Sequence, residues 1–202
     1  MGHDRYPRLP RTRRWNEVVD LIGTGASSGL VAASTLDAAE QQFAVAAMDP
    51  GVVRSFWLLT QLPDAARSGD FAGALRSLGV EVPGAPTAAD LSAALSKAID
   101  NNLADRRART DFGEMAQVSA VETVTSVVAM RAADLFGTGP KDVQHEAASL
   151  ATEKQFGIFA REFFARLTGR FLGYFVSRAL PDPIGPGKRF ADVREQRAFN
   201  EA

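Results

Sequence analysis

Residues 152–180 read TEKQFGIFAREFFARLTGRFLGYFVSRAL. Thr152 with Gln155 three residues on has the form of a capping box, and Pro181 and Pro183 forbid continuation beyond Leu180, so the stretch is bounded as one long helix. At about 100° per residue, Phe156, Phe159, Phe163, Phe164, Leu167, Phe171, Tyr174 and Phe175 fall within roughly half of the helical circumference. Such a face requires a core. Ala165, Gly169 and Gly173 recur at four-residue intervals near the opposite side, flanked by Ile158, Leu172 and Val176. Glycine inside a helix costs about 1 kcal/mol relative to alanine, so this row of small residues predicts close approach of a second backbone. The expectation is a helix enclosed on two faces. Arg161, Glu162, Arg166, Arg170 and Arg178 are spread around it and form no clean polar side. A membrane-surface helix needs such a side, so the centre of a helical bundle is the better reading.

Working outward, the flanking segments repeat helical signals. Pro140 at a first helical position begins a helix to about Leu150, and a break falls near Ala151. Asp111 with Glu114 starts a long helix to Phe136, with Met115, Val118, Val121, Val124, Val128 and Leu135 at helical spacing. Asp111-Phe112-Gly113 spells the metal-binding triplet of protein kinases, but the accompanying kinase elements are missing and capping by Asp111 accounts for it. Thr87 with Asp90 caps a helix to about Asp105 that buries Leu91, Leu95, Ile99 and Leu103. EVPGAP, 81–86, is the clearest loop. A short helix runs from Asp70 to Leu78 and stops at Gly79. Asp49-Pro50 supplies an N-cap and a first-turn proline for a helix through Phe56, Trp57, Leu58 and Leu59, which Pro63 should end.

Nearer the start, Ser28 to Met48 reads as an alanine-rich helix with Leu36, Phe43 and Ala47 among its apolar positions. Thr12 caps a helix over Arg13 to Ile22 that presents Trp15, Val18, Val19 and Ile22 on one face and stops at Gly23. The intervening GTGASSG, 23–29, resembles a phosphate-binding loop in composition only: it follows a helix instead of a strand, and no P-loop lysine follows it. Residues 1–11 form an extended basic arm, 12–180 the helical bundle, and 181–202 a Pro/Gly linker with the start of a charged helix whose abrupt stop suggests truncation. The fold expected is all-α, a single-domain mixed bundle of about seven or eight helices around the aromatic helix.

Composition narrows the chemistry. The chain has 202 residues, 46% of them hydrophobic, and a net charge of −1, which gives no global attraction to nucleic acid or anionic membrane. With no cysteine, disulfides, thiolate metal sites and cysteine nucleophiles are excluded. No signal peptide is evident and no run approaches the length of a membrane span, so a cytoplasmic location is expected. The 19 arginines against 4 lysines, with abundant alanine, match a bias common in high-GC bacterial genomes. His145 shares a helix face with Asp142, but a carboxylate-bridged metal centre needs glutamates from several helices; a surface histidine is the better account. Neither a catalytic constellation nor a cofactor site is read.

Basic clusters remain. Arg5, Arg8, Arg11, Arg13 and Arg14 lie in or beside the arm with Tyr6 and Trp15, and Arg106, Arg107 and Arg109 form a second group in a loop. These are the candidate residues for binding a partner or nucleic acid. The lack of convergent polar chemistry favours a non-enzymatic interaction protein, an adaptor or subunit of a larger bacterial assembly, over an enzyme. Nucleic-acid binding through both arginine groups is the second reading, and a helical small-ligand binder or unrecognised enzyme the third. A protein partner is expected, and a homo-oligomer is left open.

Overall fold

The computed structural model describes residues 13–129, 139–179 and 189–201, apart from a few side chains near the ends of these segments and at 41 and 42. Among them every regular element is helical and no strand occurs, so the fold is all-α. The helices are α1 (Arg13–Thr24), α2 (Ser28–Ala47), α3 (Pro50–Ala66), α4 (Phe71–Ser77), α5 (Ala88–Asp105), α6 (Asp111–Val124), α7 (Pro140–Ser149), α8 (Glu153–Ala179) and α9 (Val193–Glu201), with a π-helical turn, Thr125–Ala129, continuing α6. No described helix is long and apolar enough to cross a membrane. The chain divides into two compact units, one built on 47–167 and the other on 6–46 with 168–202, and α8 contributes a segment to each.

In the first unit α3 is the hub, packing against α4, α5, α6 and α7. Its start follows the expected chemistry: Asp49 is the N-cap and Pro50 occupies the first turn. The end does not, because α3 runs on past Pro63 to Ala66. A proline removes one donor, here the one aimed at the Leu59 carbonyl, and the following residues still find acceptors one turn back. Pro63 is itself buried in the hub. Gln144 of α7 then donates to the Ala66 and Ser68 carbonyls at 3.0 and 3.1 Å, satisfying acceptors at the end of α3.

The contact of α3 with α6 is the closest in this unit. A methyl group on Gly51 would run into the Cα of Gly113, so position 51 must be glycine for the two helix starts to meet, while a methyl on Gly113 would press only on the Thr110, Leu103 and Asp49 side chains at 3.2–3.4 Å. Asp49 ties them together: one carboxylate oxygen accepts from the Gly51 and Val52 amides at 2.8 and 3.2 Å, and the other accepts from the Thr110 hydroxyl. Thr110 in turn accepts from the Gly113 amide at 2.9 Å. Thr110, one residue before the expected Asp111, is therefore the N-cap of α6. Within the kinase-like triplet, Phe112 is fully buried and Gly113 makes the backbone approach.

The inward face of α6 also differs from the valine pattern. Phe112, Ala116, Ser119, Ala120, Thr123, Val124, Val127 and Val128 are buried, whereas Val118 is exposed and Met115 and Val121 lie half-way. Small side chains face α3 because the glycine contact leaves little room. Ser119 and Thr123 are tolerated there by donating to the Met115 and Ser119 carbonyls one turn back, both at 2.7 Å. The expected extension of this helix to Phe136 falls outside the described residues beyond Ala129. In α5 the expected core residues Leu91, Leu95, Ile99 and Leu103 are all buried, and the Thr87–Asp90 capping box is present in both directions.

The second unit packs α1 and α2 with the later part of α8 and with α9. Trp15 stacks on Phe175 at 5.1 Å and Phe43 on Phe171 at 4.2 Å between ring centres. Helix α1 continues through Gly23 to Thr24 and ends where Gly25 takes φ +90°, returning the Ala26 amide to the Leu21 carbonyl. Ser27 then opens α2 by accepting from the Leu30 amide. On α2 the buried stripe is Val31, Thr35, Ala38, Ala39 and Ala46, while Leu36 and Ala47 face solvent. Asp192 caps α9 through the Arg194 and Glu195 amides.

Helix α8 buries Phe159, Phe163, Leu167, Phe171 and Phe175, an i,i+4 stripe. Its small-residue row does not meet another backbone closely: a methyl on Gly169 or Gly173 would touch nothing within 4 Å. The expected tight enclosure of the second face is thus corrected: Gly169 and Gly173 border an open cleft with Ser28, Val31 and Ala32 of α2 and Phe199 of α9.

Candidate functional site

The predicted arginine groups fall in different units. Arg5, Arg8 and Arg11, with Tyr6, lie outside the described residues. Arg13 pairs with Glu17 at 3.0 Å along α1, and Arg14 reaches Asp37 and Glu40 of α2 at 3.6 and 3.4 Å. In the first unit, Arg106 is the C-cap of α5, Arg107 adopts φ 52°, and Arg109 pairs with Asp100 at 2.8 Å. Cations at a helix C-terminus complement the exposed carbonyls, which gives Arg106 and Arg107 a structural role. His145 is exposed on α7, and the Asp142 carboxylate beside it is engaged with the Gly139 amide at 3.0 Å.

What these readings missed is an apolar groove on the first unit. Val52, Val53, Phe56, Trp57 and Thr60 of α3, Ala47 at the end of α2, and Phe164 of α8 line a cleft of about 330 Å³. Its floor is aromatic: Phe56 lies 4.9 Å from Phe164 and 5.7 Å from Phe163 between ring centres. Its edges are wet. Val53 is 53% exposed, Trp57 39% and Phe164 45%. Met48, one residue past the lining Ala47, is 81% exposed. Large apolar side chains scattered singly on a surface are ordinary; here Val53, Trp57 and Phe164 border one cleft.

The groove has fixed walls. The Arg54 guanidinium lies 4.6 Å from the centre of the Trp57 ring and donates to the Leu78 carbonyl at 2.8 Å, so it holds the indole in place while being held itself. Burial, and then the neighbouring Arg106, lowers the Arg54 pKa from its ordinary value, though it stays charged at neutral pH. Arg54 and Arg106 form no ion pair among the described residues. Thr60, the polar residue of the lining, spends its hydroxyl on the Trp57 carbonyl at 2.7 Å. The cleft therefore offers apolar contact with a cationic edge, and no convergent acid, base or nucleophile.

The other concentration of polar groups in this unit surrounds Arg166, which reaches Ser126 at 2.9 Å, Glu162 at 3.4 Å and Glu122 at 4.0 Å. These contacts join α8 to α6 and the π-helical turn, and they account for the charges structurally. Compared with protein-family models, with curated proteins and with solved structures, the chain matches none. The functional reading rests on its own surface.

Proposed function

We propose that this chain is a helical interaction protein, an adaptor or subunit, that engages a protein partner through the α3–α8 groove. The observation that carries the reading is the joint exposure of Val53, Trp57 and Phe164 around one cleft on a rigid helical wall. Tryptophan and phenylalanine supply large contact areas at little conformational cost, which is why partly buried aromatic anchors dominate the energetics of interfaces. The fold around them is closed by its own hydrogen bonds, so the groove is preformed.

A photoreactive side chain introduced at Val53 in the native host tests this. A discrete protein adduct is expected, its yield collapsing when Trp57 and Phe164 are both changed to serine and the same reagent at exposed Lys141 giving none. An adduct indifferent to the serine changes, or none at all, refutes the reading.

The second reading, nucleic-acid binding, is favoured by one observation: Arg54, without a carboxylate partner, lies over a partly exposed tryptophan and feels the charge of Arg106. It requires an affinity for single-stranded DNA or RNA that weakens steeply with salt and falls when Arg106 and Arg107 become alanine.

A further inference from the structure

Resting on the groove reading above, we propose that the occupant is an acidic amphipathic helix: an apolar stripe seated between Trp57 and Phe164, flanked by aspartate or glutamate facing Arg54, Arg106 and Arg161. The first step of the argument is about backbone. Both walls of the groove are helices, α3 and α8, whose amides and carbonyls are consumed within their own turns. An extended peptide would find no ladder of donors and acceptors there, and its own backbone groups would be buried without partners. A helix arrives with its backbone already satisfied and needs from the groove only what the groove offers, an apolar trough. Anchors at i, i+3 or i+4, and i+7 would meet the cleft along about two turns.

The second step is charge. Arg54 sits at the groove edge over Trp57. Arg106 lies close enough for its charge to act on Arg54. Arg161 is exposed on α8 one turn before Phe164 and makes no ion pair among the described residues. Against these, the α3 stripe carries one exposed carboxylate, Asp64, two turns beyond Trp57. The edge is thus cationic in excess, and a basic helix would be repelled where an acidic one is attracted. Arg54 is immobilised by its ring contact and by Leu78, so meeting a carboxylate costs it little further ordering.

The test uses the full chain and a display library of helices about 18 residues long, with randomised positions beside a fixed apolar stripe. Selection on the unaltered protein is expected to enrich Asp and Glu beside the stripe. The selected helices should bind about tenfold more weakly to Arg106→Glu/Arg161→Glu, a change of two exposed side chains, and not measurably to Trp57→Ser/Phe164→Ser. Circular dichroism confirms that each variant is folded. Helices that need Trp57 and Phe164 but show no acidic enrichment and ignore the charge reversal overturn this inference and leave the groove reading standing. Binders indifferent to Trp57 and Phe164 overturn both. A dimer in sedimentation that dissociates in the serine variant makes a second copy the occupant, and single-stranded DNA bound through Arg106 and Arg161 without selectable helices makes it a nucleic acid; either result overturns the proposal.

Discussion

Replacing Asp49 by alanine should destabilise the first unit more than removal of an ordinary helix cap. Its carboxylate is 6% exposed and accepts from the Gly51 and Val52 amides and from the Thr110 hydroxyl. Loss of an N-cap costs about 1–2 kcal/mol, and the half-buried Thr110 hydroxyl left without its acceptor adds about 0.5–1, giving roughly 1.5–3 kcal/mol in all. Thr110→Ala should cost about 2 kcal/mol, because it removes the cap of α6 and strands one oxygen of the buried Asp49 carboxylate. The two losses share one hydrogen bond. The double variant should therefore fall short of the sum by about 1 kcal/mol, and Asp49→Asn, which keeps an acceptor for the two amides, should recover about half of the single loss. Urea unfolding followed by far-ultraviolet circular dichroism measures all four proteins. Additivity within about 0.3 kcal/mol would show that Asp49 and Thr110 act separately, and the linked cap would be refuted.

The glycines make opposite predictions. Gly51→Ala should cost several kcal/mol or prevent folding of the α3–α6 contact, whereas Gly169→Ala and Gly173→Ala should each stabilise by about 0.5–1 kcal/mol, read from the same urea midpoints. The Asp90 carboxyl is held below its usual range by the Thr87 hydroxyl first and the Thr87 amide second. A depressed folded-state pKa contributes stability that is present above the unfolded value, about 3.9, and lost as the pH falls through the folded one. A carbon-detected NMR titration should therefore show Asp90 titrating below the unfolded carboxylates, with fraying of the first turn of α5 only at the acid end; a midpoint at or above the unfolded value refutes the cap. Finally, acrylamide should quench Trp57 while Trp15, 1% exposed, stays shielded, as single-tryptophan variants would reveal. Equal quenching of the two would remove the exposed anchor on which the groove depends.

How far the fold was legible depended on how local each signal is. Asp49-Pro50 and Thr87 with Asp90 marked helix starts correctly because capping is decided within four residues. The α5 core was equally clear, since leucine and isoleucine at helical spacing have no other good place. Burial on α2 and α6 was not legible from the apolar pattern for a common reason. Their inward faces use alanine, serine and threonine, which carry little hydrophobic signal, while Leu36 and Val118, apolar positions at helical spacing, point outward. Which small face is buried is set by close contacts such as Gly51 with Gly113, made by residues distant in the chain. The candidate site was missed on similar grounds, because counting arginines finds charge, while the groove is built of residues that each look like core.

One signal could have exposed the groove. An α-helix packed on one side buries a stripe somewhat wider than 100°, but the aromatic arc of α8 covers about half the circumference. Adjacent residues point about 100° apart, so Phe163 and Phe164 cannot both face the same neighbour. Phe163 is fully buried and Phe164 is 45% exposed. An arc too wide for one core must either meet a second neighbour or leave apolar surface in water. Nothing lies within 4 Å of a methyl added to the glycine row, so no second helix packs tightly there, and the row borders an open cleft with α2 and α9. The surplus falls at Phe164, and Trp57 and Val53 of α3 extend it into a cleft. The arc width thus places the apolar excess at one edge of the core, where a partner can reach it and where the fold gains little by keeping phenylalanine and tryptophan.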